Sequence, residues 1–244
     1  MPKLHIYAMI PARYGSTRLK MKNLALIDGR PMISYAIDAA KKSDVFDKII
    51  VNSENTIFSE IAARYKVDFY HRPEDLGSSK AKSDAVVANF MESYPEADVV
   101  VWVNPIAPFQ TGEEISKIIR HFLKNDLDSL ITVEEMQVHC NFMGKSINYN
   151  KDEIFAQTQD LNPVQPFVYS VMMWKREAFL SDYMNKGFSL FCGKFETYPV
   201  SKSSGIIIKT ANDLKLADFL MRAKNNEKSD YLIKYDKLVT HGSK

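Results

Sequence analysis

The densest chemistry in the sequence lies in the run PARYGSTRLKMKN, residues 11–23. Four cationic side chains, Arg13, Arg18, Lys20 and Lys22, are spaced along it with Gly15 among them. Guanidinium and ammonium groups on a loop make a cradle for an anion when a glycine lets backbone N–H groups come close, and a triphosphate fits that description. The run is neither G-x-x-x-x-G-K-[ST] nor G-x-G-x-x-G, so it is not a Walker loop or a dinucleotide fingerprint. By composition alone, a solvated basic loop explains the same residues equally well.

The surrounding pattern says what would position this loop. LHIYAMI (4–10) is an apolar run closed by Pro11 and reads as a buried strand. PMISYAIDAAKK (31–42) has helical periodicity, with Pro31 suited to a first turn. Strands at 48–52, 67–70, 99–103 and 129–133 alternate with helices at 55–65, from Ser83 to about Tyr94, and from Thr111 to about Leu123. Ser83 reads as a helix cap, and Thr111 with Glu114 as a capping box. Strand alternating with helix, with near-continuous apolar strands, implies an α/β fold with a mostly parallel sheet covered on both faces. Ligands of such sheets sit beyond the carboxyl ends of the strands, which gathers the loops after residues 10, 52 and 103 around one site. Residues 135–165 are polar and irregular, an excursion from the core. A strand returns at 167–174, a last helix begins at Thr210, and a charged tail runs from 223 to 244.

Composition narrows the classes. With 45% hydrophobic and 25% charged residues, the 244-residue chain reads as one soluble globular domain. A net charge of +2, from 32 basic and 30 acidic side chains, argues against a general nucleic-acid or membrane-surface binder. Cys140 and Cys192 have no metal or disulfide spacing. The N-terminus lacks a signal-peptide design and no apolar run reaches the ~20 residues of a membrane span, so the expectation is cytoplasmic. His139 and Cys140 have no partner at ligand spacing, and His71 reads as structural.

IPARYGSTRLKMKN followed by GRPMISYAIDAAKKS resembles the opening of the CMP-sugar cytidylyltransferases, the CMP-sialic acid and CMP-Kdo synthetases. The likeness continues through HRPEDLGSSKAKSD, VVVWVNPIAPFQ, TQDLNPV and KTANDLKLAD, covering roughly residues 4–220 in order. It implies a doubly wound α/β domain of the nucleotide-diphospho-sugar transferase type. It also implies a homodimer, with residues 135–170 as a protruding dimerisation and acceptor segment. The activity implied is transfer of CMP from CTP to a sugar acid, with release of pyrophosphate. By position, Arg13 and Lys22 would hold the triphosphate, Ser16 would add a hydroxyl, and Asn23, Arg72 and Ser83 would contact the cytidine. Asn104 stands where the family has a glutamine that touches the sugar.

Two departures qualify the resemblance. Where the sialic-acid branch holds Mg²⁺ with two aspartates, this chain has Ile207 and Lys209, in a register fixed by Thr210, Asp213 and Leu214. Three readings stay open. Lys209 stands in for the metal's charge as a catalytic cation, Mg²⁺ is held mainly by the triphosphate with an acid such as Glu54 or Asp84, or the site is inactive. The last would make the chain a nucleotide-binding or regulatory partner subunit. A transferase using another base is a further option. On the sugar side, the family's arginine and Asn-Gly pair are replaced by the stretch Gln165 to Ser170, where Phe167 and Tyr169 are either core residues or a wall for a different acceptor.

Overall fold

Alternation along the first strand decides how the chain layers. In β1 (Ile6–Pro11), Ile6, Ala8 and Ile10 face one core while Tyr7 and Met9 face another. A strand buried on both sides must lie inside a sheet covered on both faces. The computed structural model describes residues 3–16 and 18–226, and in it β1 is central. It pairs in parallel with β2 (Lys48–Ser53) on one side and β4 (Val99–Val103) on the other. Beyond β2 lies β3 (Asp68–His71), also parallel. Beyond β4 come β6 (Phe167–Lys175), β5 (Ser129–Val133) and β7 (Phe195–Pro199) in that order. Only β6 runs antiparallel to its neighbours. The mostly parallel α/β sheet is therefore as expected, and the chain reverses its direction of winding between β1 and β4.

Helices α1 (Ile33–Ser43), α2 (Ile57–Tyr65) and α4 (Gly112–Lys124) cover the Ile6 face, and α3 (Ser83–Ser93) and α5 (Arg176–Lys186) cover the Tyr7 face. α6 (Ala211–Asn226) packs Ala217 and Met221 on a small third core with Ile27, Met32 and Ile208. α1 and α4 cross closely at Gly112, where a Cβ would lie 2.6 Å from Lys42 C and Ser43 N. Backbone cannot yield as a side-chain tip does. Gly112→Ala is therefore expected to cost about 1–3 kcal/mol, readable as a lower urea midpoint with an unchanged slope.

Three local expectations need correction. Ser83 is the first residue of α3, not its cap. Lys82 holds the cap position, and the Ser83 hydroxyl makes no hydrogen bond among the described residues. The Thr111 box is half formed: Thr111 Oγ1 accepts the Glu114 N–H, but the Glu114 carboxylate accepts from Gln110 Nε2 and the Ser201 N–H. The last helix starts at Ala211, with Thr210 and Asp213 bonding each other's N–H groups at its entrance. The excursion is a short hairpin, Asn141–Phe142 with Lys145–Ser146, closed at its base by reciprocal Met136 and Val164 backbone bonds. Phe142, Met143, Ile154 and Phe155 are exposed on it. His139 stacks on Phe155 at 4.1 Å. Of the charged tail, residues 227–244 lie outside the described residues, and 223–226 complete α6. No helix among the described residues is long and apolar enough to cross a membrane.

Candidate functional site

A cavity opens where β1 and β4 diverge, at the carboxyl ends of the strands, as the winding reversal predicts. Its volume is about 240 Å³, and its walls include Pro11, Arg13, Ser16, Lys22 and Asn23 from the loop after β1. Arg72, Leu76 and Ser78 come from the loop after β3, Ser83 and Val86 from the N-terminal turn of α3, and Trp102, Asn104 and Ile106 from the end of β4. Seven of the eight residues singled out in the sequence thus meet in one pocket. Lys209 does not line it; it is exposed, one residue beyond Ile208, whose carbonyl accepts from Lys22 Nζ.

Each wall has a local cause. The loop after β1 leaves the strand at Pro11 and turns back through Met21, whose φ of 48° starts a single turn at Lys22–Leu24. Asn23 is buried and donates from Nδ2 to the Arg13 carbonyl at 3.3 Å, closing the loop on itself. Lys22 Nζ donates to the Ile208 carbonyl at 3.3 Å, tying the loop to the segment before α6. Burial lowers the Lys22 pKa to about 8, helped by repulsion from Arg18, Arg13 and Lys209 and opposed by Asp213. Arg13, Ser16 and Ser83 offer side chains with no hydrogen bond among the described residues, so their donors are free for a ligand. The α3 N-terminus adds unpaired backbone N–H groups at the same place.

Arg72 is no surface ion pair. It is 4% exposed, and its Nη2 lies 2.7 Å from Glu54 Oε2, with Glu54 itself 10% exposed. Glu54 Oε1 accepts the Tyr14 N–H at 2.7 Å, and a Cβ on Gly77 would overlap the Glu54 side chain. One carboxylate therefore fastens the loops after β1, β2 and β3 together. His71, stacked on Phe69, bonds the Glu54 carbonyl through Nε2 at 2.9 Å and is structural. Asn104 is partly spent: its Nδ2 donates to the Tyr169 carbonyl at 3.0 Å. Tyr169 sits at φ 55° in a break of the β6 register and is 41% exposed, while Phe167 is half-buried against the second core.

Two residues of the site escape the sequence. Glu54, a metal-ligand candidate in the sequence, spends its carboxylate on Arg72 and Tyr14. Asp84, the other acid considered, accepts the Ser189 and Leu190 N–H groups at 2.6 and 3.1 Å, holding α3 to the loop after α5. Among the described residues no group of three His, Cys, Asp or Glu side chains is placed to hold a metal ion. Trp102 is the single aromatic in the apolar run VVVWV. It lines the pocket, and its buried Nε1–H has no acceptor among the described residues. A buried donor needs a partner, and a ligand can be that partner. Trp102→Phe is expected to alter stability by less than about 1.5 kcal/mol and to weaken nucleotide binding by about three- to tenfold. An unchanged dissociation constant would show that the indole donor is not used.

A cytidylyltransferase family model matches residues 7–215, spanning the pocket and the sheet beneath it. The chain belongs to the cytidylyltransferase family. The chain is 25% identical over 237 residues to the N-acylneuraminate cytidylyltransferase of Escherichia coli O18:K1:H7, covering 92% of the chain and 54% of that protein. It spans about half the length of the first curated relatives it matches. It is also 26% identical over 243 residues to post-translational flagellin modification protein B of Campylobacter coli, covering 93% of the chain and 99% of that protein. Among solved structures, a CMP:2-keto-3-deoxy-manno-octonic acid synthetase complexed with CTP superposes with a TM-score of 0.70 at 16% identity, covering 90% of the chain and 99% of that one. At that identity the likeness speaks for the fold alone.

Proposed function

We propose that the protein transfers CMP from CTP to a sugar acid of the sialic-acid or Kdo type and releases pyrophosphate. The observation that carries this reading is the convergence of Arg13, Ser16, Lys22, Asn23, Arg72 and Ser83 on one pocket at the reversal point of a cytidylyltransferase sheet. In the reaction, an acceptor hydroxyl oxygen attacks the α-phosphorus. The new P–O bond forms as the bond to the bridging oxygen of the β-phosphate breaks, and pyrophosphate leaves with that electron pair. The hydroxyl proton passes to solvent. Such a transfer needs positioning and charge neutralisation more than covalent help. Arg13 and Lys22 neutralise the phosphates, Asn23, Arg72 and Ser83 hold the cytidine, and Asn104 with Tyr169 borders the acceptor.

The inactive-subunit reading rests on Ile207 and Lys209 alone, whereas the rest of the site is assembled and open. The protein works as a cytoplasmic homodimer in this account, joined through the exposed apolar hairpin within 135–170, and light scattering would give its mass in solution. Incubation with CTP and a panel of sugar acids tests the activity. Pyrophosphate release with one of them is expected. CTP binding without release for any acceptor would favour the inactive subunit.

A further inference from the structure

We infer that this site takes the triphosphate without a protein-held divalent cation, the ammonium groups of Lys22 and Lys209 supplying the positive charge instead. The inference rests on the CTP reading above and concerns how that site is neutralised. The segment 207–209 is tied to two residues of the pocket wall, by the Ile208 N–H to the Ile106 carbonyl at 2.9 Å and by Lys22 Nζ on the Ile208 carbonyl. Ile207 turns into the central core and offers no ligand. Lys209 is exposed, and its ammonium has no partner among the described residues. The neighbouring carboxylate, Asp213, is occupied: it accepts the Lys209 and Thr210 N–H groups at 2.9 and 2.7 Å at the entrance of α6.

Lys22 thus feels the like charges of Arg18, Arg13 and Lys209 and the opposite charge of Asp213. Such a cluster attracts a polyanion and repels a divalent cation. Free CTP carries two more negative charges than its magnesium complex, so the cluster favours the free form.

Calorimetric titration of CTP, and separately of inorganic tripolyphosphate, in EDTA and in excess Mg²⁺ tests this. The wild type is expected to bind CTP at least as tightly in EDTA. Lys209→Met, which disturbs no side-chain contact, should weaken binding in EDTA by about three- to tenfold. Lys209→Asp should weaken it further and regain affinity with Mg²⁺. Wild-type binding that requires Mg²⁺, or Lys209→Met binding unchanged in EDTA, would overturn the inference. Tripolyphosphate bound in EDTA with CTP rejected would instead uphold the charge arrangement and remove the cytidine reading. Rejection of both probes overturns the two together.

Discussion

Glu54→Ala is expected to lose about 3–5 kcal/mol of folding stability, because it strands the Arg72 guanidinium as a buried charge without its partner. Removing one member of a buried pair costs far more than the pair contributes, since the desolvation of the survivor is no longer offset. The lower end of that range applies, because Arg72 also faces the pocket, where water reaches it. The same variant frees the Tyr14 N–H and loosens the loop that carries Arg13. The double change Glu54→Ala with Arg72→Met should recover most of the stability, as a buried pair replaced by apolar groups is often neutral. It should not recover nucleotide binding, because the arginine that faces the pocket is gone. Denaturant midpoints beside CTP titrations of the three proteins separate the two effects. A double variant as unstable as Glu54→Ala would show that Glu54 acts on the fold by some route other than Arg72.

Arg13→Ala should weaken CTP binding by about a hundredfold or more, the worth of charge-assisted bonds from a guanidinium to phosphate. Its fold should be intact, because the Arg13 side chain bonds no other described residue. The pH dependence of binding carries a related signature. Lys22 titrates near 8 in the free protein, facing Arg13 and Arg18 from its own loop and Lys209 and Asp213 from the α6 entrance. A bound triphosphate favours the ammonium and raises that pKa, so binding takes up a proton above pH 8. Affinity should fall by about tenfold between pH 7 and 9. Lys22→Met should bind weakly at every pH and show no such fall. A wild-type affinity constant across that interval would mean that Lys22 does not meet the phosphates.

The sheet was legible in the sequence where burial writes itself as an unbroken apolar run. Val99–Val103 and Ser129–Val133 were read to the residue, and β1, β2 and β3 nearly so. β7 and α5 were not read. FETYP lies half-buried at the sheet edge, where the pattern is mixed, and α5 buries only Phe179, too little to print a helical period. The antiparallel direction of β6 is also invisible, since apolar periodicity carries no sense of direction. In the site, residues of the glycine-containing basic loop could be placed because chain order and strand ends fix where that loop must lie. The roles of Glu54, Asp84 and Trp102 could not, because each depends on partners far away in the chain: Arg72 and Tyr14, the Ser189 turn, and a pocket wall built from several loops. Lys209 was tied to the phosphates by register alone. Its place, linked through Ile208 to Lys22, is a property of the α6 entrance that no local pattern encodes.

The most direct test of the central claim is a calorimetric titration of the wild-type protein with CTP, ATP, GTP and UTP in parallel. Selective binding of CTP is the result this account predicts, since the proposal assigns Asn23, Arg72 and Ser83 to the base and Arg13 and Lys22 to the triphosphate. Equal binding of all four nucleotides would contradict the cytidine assignment, and binding of none would contradict the nucleotide site itself.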